Sequence, residues 1–456
     1  MDWAFHGEGG DEFAVKNEDA VIETFRAAGP ASIQEFAHAR RVLAGGVDSP
    51  VRAGKPVGMH PPVLCAARGS HVTDADGRDY IDYLCAYGPV LLGHADASVS
   101  AAISAAAANG AVFGATHPSE VRLAERIRRH LPSMELLRFV STGTESCMSA
   151  IRVARSFTRR HKIVRFTGNY HGHCDEMIFS AGASSNSNAT IAAGITPAAA
   201  GNVITLSYND LAAVAAAFAE HGHEVAAVIV EPVCANMGLV LPIDGYLDGL
   251  RRLCDRSGAL LIFDEIITGF RLGLGGAQAW CSVKSDLTCI GKVLGGGLPI
   301  AAFGGRADVM SVLAPDGEVF QGGTFSGNPL CVAAAHALLD RLEGDPTFYE
   351  DLSAKSSQLA AGAKAALEDA GLAYPVVQIA SIVDFMFRTG EPHRDYAAAR
   401  ESDAAAYARF YHAMLERGIH LAPSQMEVMF VTAAHTEEDV GRTIAALREA
   451  LRAGIA

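Results

Sequence analysis

The sequence has little that would suit an exported, membrane-bound or nucleic-acid-binding protein. Its 456 residues carry 37 lysines and arginines against 51 aspartates and glutamates, a formal net charge of −14. Nucleic acids and anionic membranes bind positively charged surfaces, so both are disfavoured as partners. No hydrophobic run approaches the length of a membrane span, and the first residues lack the basic and apolar regions of a signal peptide. We therefore predict a cytoplasmic protein.

Cysteine pairs at the spacing of metal or redox sites are also absent. The nine cysteines are scattered, their number is odd, and no two form a C-x-x-C motif. Free thiols in a reducing compartment fit this pattern better than disulfides or zinc. Half of the residues are hydrophobic and only 19% are charged, which excludes a largely disordered chain.

Short apolar runs alternate with helical patterns between about residues 86 and 335. Apolar strands separated by helices predict an α/β fold with a mainly parallel sheet that is covered on both faces. Ligands of such sheets bind at the carboxyl ends of the strands. The predicted strands are 137–140, 162–166, 226–230, 260–263, 287–290 and 300–303.

The remaining sequence predicts a smaller region. Helices are predicted at 350–371 and 436–453, and 379–387 has the pattern of one strand. We divide the chain into an N-terminal arm with part of the small domain (1–85), a large domain (86–335) and a C-terminal small domain (336–456). The segment 180–203, rich in small residues, is either a lid or a plain surface loop.

Two residues at predicted strand ends indicate the chemistry. Lys292 follows the run 287–291, and Asp264 closes the run 259–263. A lysine in an apolar site can lose its proton and attack a carbonyl, and an aspartate can keep a pyridinium nitrogen protonated. Together they suggest pyridoxal 5'-phosphate (PLP) held as a Schiff base. Taken alone, Lys292 could equally be a surface lysine and Asp264 a helix-capping aspartate.

Several further residues are candidates for the same site. Thr142, Gly143 and Thr144 precede a helix and could bind a phosphate, although an ordinary N-cap is the alternative. Tyr170 could cover a cofactor ring. His171 and His173 resemble a metal pair, but no carboxylate or cysteine cluster accompanies them in the sequence, so we predict no metal. Other candidates are Asn236 for a cofactor hydroxyl, Thr324 for a phosphate and Arg52 for a substrate carboxylate, where a solvated arginine is the alternative.

The ordered motifs resemble those of the class III, fold-type I aminotransferases, and most closely those of the glutamate-1-semialdehyde 2,1-aminomutase branch. The resemblance covers about residues 31–450. The matching motifs are Gly45-Gly46-Val47-Asp48-Ser49-Pro50-Val51-Arg52, Thr142-Gly143-Thr144-Glu145, Tyr170-His171-Gly172-His173, Phe263-Asp264-Glu265, Thr268-Gly269-Phe270-Arg271, Leu287-Thr288-Cys289-Ile290-Gly291-Lys292, Gly323-Thr324-Phe325-Ser326-Gly327-Asn328-Pro329 and Leu421-Ala422-Pro423-Ser424-Gln425-Met426-Glu427.

The resemblance implies a fold, a cofactor and a role for each residue. The fold is a mainly parallel seven-stranded sheet flanked by helices, with a smaller α+β domain built from both termini. PLP, converted to pyridoxamine 5'-phosphate in the half-reaction, is the cofactor, and a homodimer is implied because Thr324 reaches it from the neighbouring subunit. Lys292 and Asp264 are catalytic. The other cofactor-binding residues are Thr142, Gly143, Thr144, Tyr170, His171, Glu231 and Asn236, and the substrate-binding residues are Ser49, Arg52, Tyr87 and Glu427.

The sequence departs from the aminomutase pattern where a substrate would be enclosed. Tyr87 stands in place of a tryptophan and Thr167 in place of a glutamate, the loop 115–118 differs, and 181–201 lacks a proline-rich stretch. We therefore predict PLP-dependent amino-group transfer on a small carboxylate-bearing substrate by an aminotransferase with an altered pocket. The alternatives are the aminomutase reaction that makes 5-aminolevulinate and, less favoured, racemisation or epimerisation. A non-catalytic binding module is disfavoured because Lys292 and Asp264 are both present.

Overall fold

The computed structural model describes residues 29–178 and 192–453. Strands in this part of the chain form three sheets. In chain order the strands are β1 Leu64–Arg68, β2 His71–Asp74, β3 Asp79–Asp82, β4 Leu136–Val140, β5 Lys162–Phe166, β6 Val203–Leu206, β7 Val225–Val230, β8 Leu260–Glu265, β9 Leu287–Ile290, β10 Ala301–Gly305, β11 Val376–Ile379, β12 Ile382–Phe385, β13 Ile419–His420 and β14 Met429–Phe430.

The helices cover the sheets and connect the strands. In chain order they are α1 Pro30–Val42, α2 Ala97–Ala107, α3 Pro118–His130, α4 Gly143–Thr158, α5 Pro197–Gly201, α6 Leu211–His221, α7 Tyr246–Ser257, α8 Gly276–Cys281, α9 Ala307–Met310, α10 Pro329–Gly344, α11 Phe348–Asp369, α12 Tyr396–Ala399, α13 Ala404–Glu416 and α14 Glu437–Arg452.

The central sheet has seven strands in the order β4-β10-β9-β8-β7-β5-β6. The pairs from β9 to β6 are parallel, whereas β10 runs antiparallel to both β4 and β9. All residues of β7 and β8 are buried, as expected for strands covered on both faces. Their side chains alternate between two cores, with Ile229 and Ile262 in one and Val228 and Leu261 in the other. The predicted fold class is confirmed.

One of the two smaller sheets joins strands from both ends of the chain, and the other is built from the C-terminal region alone. The first has the order β1-β2-β3-β13, and β13 pairs in parallel with β3. The second has the order β11-β12-β14. The strand predicted at 379–387 contains β12, but the prediction missed β11 before it: the two form an antiparallel hairpin, and Ala380 in its turn has a left-handed φ of +46°.

Two predictions are not tested by this fold. The domain boundaries at 85 and 335 stay a prediction. The lid segment 180–203 lies largely outside the described residues; its end contains α5 and the beginning of β6. Among the described helices, none is both long and apolar enough to cross a membrane.

Candidate active site

A cavity of about 380 Å³ opens at the carboxyl ends of the parallel strands. It brings together most of the residues that the sequence predicts for a cofactor, from five separate segments of the chain. The predicted residues that line it are Thr142, Gly143, Thr144, Tyr170, His171, Glu231, Asn236, Asp264 and Lys292. The cavity lies where ligands bind in open α/β sheets.

Lys292 follows β9 directly and enters the cavity from a strained turn. Its backbone φ is +44°, a left-handed value that costs a non-glycine residue roughly 1–2 kcal/mol. Burial is the largest influence on its amine and lowers its pKa. The carboxylates of Glu427, Glu231 and Asp264 act in the opposite direction, without cancelling the effect of burial. The amine therefore loses its proton more readily than an exposed lysine, as a nucleophile requires.

Asp264 stands at the end of β8 and its carboxylate is held by three donors. Its Oδ2 accepts hydrogen bonds from His171 Nδ1 at 2.7 Å and from Cys147 Sγ at 3.3 Å, and its Oδ1 accepts from the Ile266 amide at 3.1 Å. His171 is fully buried, and burial lowers its pKa, so its imidazole is neutral at neutral pH. A neutral donor leaves the negative charge of the aspartate available to a cation in the cavity.

The structure brings together three possible metal-binding side chains that are far apart in the sequence. The structure places Cys147 and Asp264 beside His171, with possible ligand atoms of all three within 4.8 Å of one another. The signal was not readable from sequence, because the three residues come from α4, β8 and the loop after β5. Their hydrogen bonds to one another already account for their proximity, and the absence of a metal stays a prediction.

The beginning of α4 forms another part of the cavity wall. Thr142 is its N-cap, and a capping box pairs Thr142 with Glu145. Gly143 and Thr144, in the first turn, have amides that no carbonyl of the helix can accept, and both residues line the cavity. Gly172 packs so closely here that a Cβ on it would lie 2.5 Å from Thr144 Oγ1. Free amides and a helix dipole suit a dianionic phosphate.

Glu231, Asn236 and Tyr170 form one hydrogen-bonded group. Glu231 Oε1 accepts from the Tyr170 amide at 2.6 Å and from Asn236 Nδ2 at 2.9 Å, and Oε2 accepts from the Ala235 amide at 3.1 Å. Burial, with a further contribution from the charge of Asp264, raises the pKa of Glu231 to about 7. The Tyr170 residue is 54% exposed, so its ring is free to cover a ligand.

The predicted substrate residues lie beside the cavity instead of lining it. The Tyr87 hydroxyl donates to the Val51 carbonyl at 2.9 Å, next to Arg52. Burial raises the pKa of Tyr87, the charge of Glu427 raises it further, and the charge of Arg52 lowers it. Electrostatic interaction with both charges indicates that Arg52, Tyr87 and Glu427 are neighbours. Burial also raises the pKa of Glu427 to about 7.

Ser49 and Thr324 occupy different positions. The Ser49 carbonyl accepts from the Arg52 amide at 3.0 Å, so it belongs to the turn that carries the arginine. Thr324 is exposed and does not line the cavity. Two residues escaped the sequence predictions of function: Cys147, beside Asp264, and Arg271, which interacts electrostatically with Lys292. The motif 268–271 signalled the arginine without indicating its role.

The residues of the cavity fit PLP. Free amides at the start of α4 match a phosphate, an aspartate held by a neutral histidine matches a pyridinium, and Lys292 has a lowered pKa. The buried Nε2 of His171 has no hydrogen-bond partner among the described residues, which leaves Nδ1 as its hydrogen-bonding atom toward Asp264.

Comparisons with known proteins agree with this fit. The aminotransferase class III family model matches residues 55–451. A glutamate-1-semialdehyde 2,1-aminomutase from Roseiflexus castenholzii is 49% identical over 421 residues, which cover 91% of this chain and 96% of the relative. The crystal structure of an omega-transaminase from Sphaerobacter thermophilus superposes with a TM-score of 0.88 at 32% identity, covering 93% of this chain and 98% of that one.

A second solved structure is that of a glutamate-1-semialdehyde-aminomutase variant from Pseudomonas aeruginosa PAO1 in complex with PMP. It superposes with a TM-score of 0.83 at 27% identity, and the match covers 95% of this chain and 97% of that one. The matches extend over nearly the whole chain. The protein therefore belongs to the class III aminotransferases, a family of PLP-dependent enzymes.

Proposed function

We propose that this enzyme moves an amino group within glutamate-1-semialdehyde, as an aminomutase that produces 5-aminolevulinate. The observation that carries the amino-transfer chemistry is the single cavity that joins Lys292, Asp264 and the free amides of α4. The choice of substrate is supported by the 49% identity with the aminomutase from Roseiflexus castenholzii. This places the aminomutase ahead of the altered-substrate aminotransferase that the sequence departures favour.

In this proposal each residue of the cavity has one task. When bound, PLP supplies an electron sink for the carbon that bears the amino group. Lys292 links the cofactor and carries a proton to and from that carbon. Asp264, held by His171, keeps the pyridine nitrogen protonated. Thr142, Gly143 and Thr144 bind the phosphate, and Tyr170 covers the ring.

Glu231 and Asn236 lie on the hydroxyl side of the cofactor in this proposal. The substrate is held at the rim of the cavity. Arg52 binds its carboxylate, since a guanidinium matches a carboxylate in two parallel hydrogen bonds. Ser49 and Tyr87 shape the turn that presents the arginine. Glu427 interacts electrostatically with both Tyr87 and Lys292, and in this proposal it orients or gates the substrate.

A second candidate is an aminotransferase with a different carboxylate-bearing substrate. Thr167 takes the place of a glutamate, and its hydroxyl donates to the Leu206 carbonyl at 3.3 Å, so it offers the pocket no charge. Tyr87 stands in place of a larger ring, and its hydroxyl donates a hydrogen bond to the Val51 carbonyl. The similarity to an omega-transaminase supports this alternative as well.

One assay separates the two candidates. We expect the purified, cofactor-loaded enzyme to convert glutamate-1-semialdehyde to 5-aminolevulinate rapidly without an added amino donor, because a mutase returns the nitrogen to the same carbon skeleton. The product is measured colorimetrically over time. Turnover only with an added donor would establish the aminotransferase instead, and a cofactor that no amine converts to its pyridoxamine form would contradict both.

We also propose that the enzyme is a cytoplasmic homodimer in which Thr324 of one copy binds the cofactor phosphate of the other. Thr324 lies between Phe320 and Phe325, which are 79% and 62% exposed, and exposed apolar residues next to a polar one suit a protein interface. All nine cysteines are free, which suits a reducing compartment. A monomeric mass by light scattering at micromolar concentration would contradict the dimer.

A further inference from the structure

Arg271 is a fully buried arginine in the turn that follows β8. It has no exposed surface and is among the largest completely buried side chains in the described part of the chain. Its Nη1 donates to Ser381 Oγ at 2.9 Å, and its Nη2 donates to the carbonyls of Gly88 at 2.6 Å and Val90 at 3.1 Å. The guanidinium thus links the turn after β8 to the segment 88–90 and to Ser381, which are far apart in the sequence.

No carboxylate neutralises this charge. Among the described residues, the ion pairs within 4.0 Å do not include Arg271, and its buried Nε has no hydrogen-bond partner. The titratable groups that act on it are the Cys85 thiol and the Tyr349 phenol, whose pKa values are raised by burial, and the amine of Lys292. The guanidinium also stacks on Phe430, 4.7 Å from the ring centroid. A buried charge with only neutral partners is costly, which suggests that it serves a function.

The segment that Arg271 holds is strained. Cys85, Ala86 and Tyr87 have φ values of +47°, +54° and +65°, and Gly88 follows at +109°. Three consecutive non-glycine residues in the left-handed region cost about 1 kcal/mol or more each, so neighbouring groups must maintain the turn. Asp82 does so at its beginning.

The Asp82 carboxylate accepts from the amides of Leu84 at 3.0 Å and Cys85 at 3.2 Å. The imidazoles of His94 and His420 bond to the same carboxylate at 2.8 Å and 2.9 Å. Arg271 maintains the other end of the turn through the Gly88 and Val90 carbonyls. The turn is therefore fixed from both sides and carries Tyr87 between them.

This turn is a wall of the lysine site. A Cβ on Gly88 would lie 3.5 Å from Lys292 Cδ and 3.2 Å from the Phe430 ring, so the lysine side chain and this ring both pack against the face of Gly88 where a side chain would stand. The charge of Arg271 also lowers the pKa of Lys292, after burial and against the charges of Glu427, Glu231 and Asp264. Arg271 thus acts on the lysine through position and through charge.

We propose that Arg271 is a positioning residue for Lys292: its guanidinium, which no carboxylate neutralises, holds the strained turn 85–88 beside the lysine side chain. This inference rests on the proposed role of Lys292. It adds a residue outside the cavity lining whose two contributions can be separated, because arginine and lysine share a charge but not a hydrogen-bonding geometry.

The test compares Arg271→Gln and Arg271→Lys in the full-length protein, with Arg126→Gln as a control. Arg126 is also largely buried but bonds to Asp340 and Glu343 on another face. The first measurement is hydrogen exchange of the backbone amides of residues 84–90 in the cofactor-free protein. Both Arg271 variants should exchange about tenfold faster there, since neither holds both carbonyls, and the control should not.

The second measurement is the midpoint of the pH titration of the absorbance of the lysine-linked cofactor. The glutamine variant should raise this midpoint by roughly half a pH unit or more, because a positive charge near the amine is lost. The lysine variant should keep the midpoint but lose about tenfold in the rate of cofactor conversion by an amino donor. The two variants would then separate the effect of the Arg271 charge from the effect of its hydrogen bonds.

Three results would overturn the proposal. In the first, Arg271→Gln has the same amide exchange rates and the same titration midpoint as the wild-type protein. In the second, both Arg271 variants shift the titration midpoint equally. In the third, neither variant folds, which would make Arg271 a residue of the fold and not of the site. Failure of the proposed function looks different. In that case the wild-type protein itself would lack the lysine-linked absorbance or its conversion by any amine.

Discussion

The ionisable groups around Lys292 act on it in opposite directions. Burial and the Arg271 charge lower its pKa, whereas Glu427, Glu231 and Asp264 raise it. Because burial also raises the pKa of Glu231 and Glu427 to about 7, those two carboxyls are partly protonated near neutral pH and oppose the loss of the lysine proton less. Coupling of this kind is typical of catalytic sites.

Replacing Lys292 tests its assignment directly. Lys292→Ala should abolish the absorbance of the lysine-linked cofactor and reduce turnover by at least about a thousandfold, because both the covalent link and the proton carrier are lost. The exposed Lys284 provides a control, since Lys284→Ala removes an identical side chain outside the cavity. Absorbance and turnover that survive Lys292→Ala would refute the assignment.

At the scale of elements, α4 and the loop after β5 together form the proposed phosphate site. Gly172 has a φ of +85° and lies against Thr144, in the first turn of the helix. Glycine is needed there for two reasons: the left-handed backbone and the absence of space for a Cβ. The proposed phosphate site therefore depends on the packing of a loop against a helix as well as on the helix itself.

Gly172→Ala should weaken PLP binding by about tenfold or more, because the methyl group would displace Thr144. The control is Gly371→Ala. Gly371 has a similar φ of +73° but nothing within 4 Å of its Cβ position, so it bears the backbone cost without the clash. Titration of each apoenzyme with PLP gives the affinities, and equal losses in the two variants would show that the clash is irrelevant.

The sequence predicted elements better than their contacts. Apolar runs located β5, β7, β8 and β9, because parallel strands buried on both faces are hydrophobic along nearly their whole length. Strand β6, with only partly buried residues, gave a weak pattern and was missed. The residues lining the cavity followed from motifs at strand ends, but Cys147 and Arg271 gained their importance only from contacts across the fold, which no local pattern encodes.

At the scale of the whole molecule, Asp384 connects the small region to the site. It lies in β12, is 7% exposed, and its Oδ2 accepts from the Leu239 amide at 2.8 Å in the loop that carries Asn236. Burial raises its pKa to about 6 from 3.8. The folded state therefore binds this proton more tightly than the unfolded state, and stability falls as pH rises from about 4 through 6.

Asp384→Asn should remove that loss, because asparagine can accept the same hydrogen bond without a charge. We expect equal stability near pH 4 and an advantage for the variant of about 3 kcal/mol above pH 7, measured by denaturant unfolding across pH. Asp316→Asn, at an exposed position, controls for the loss of one negative charge. A stability difference that does not vary with pH would contradict this explanation.

The pairing of β3 with β13 bears on synthesis in the cell. Residues 83–418 lie between Asp79–Asp82 and Ile419–His420, yet the two segments are adjacent strands, and His420 bonds to the Asp82 carboxylate that accepts from the amides of the turn beside Lys292. Phe430, later still in the chain, donates its amide to the Tyr83 carbonyl just before that turn. A ribosome that has not yet translated these residues carries a chain in which the turn beside Lys292 lacks both contacts, so the wall of the lysine site can be completed only when translation is nearly finished.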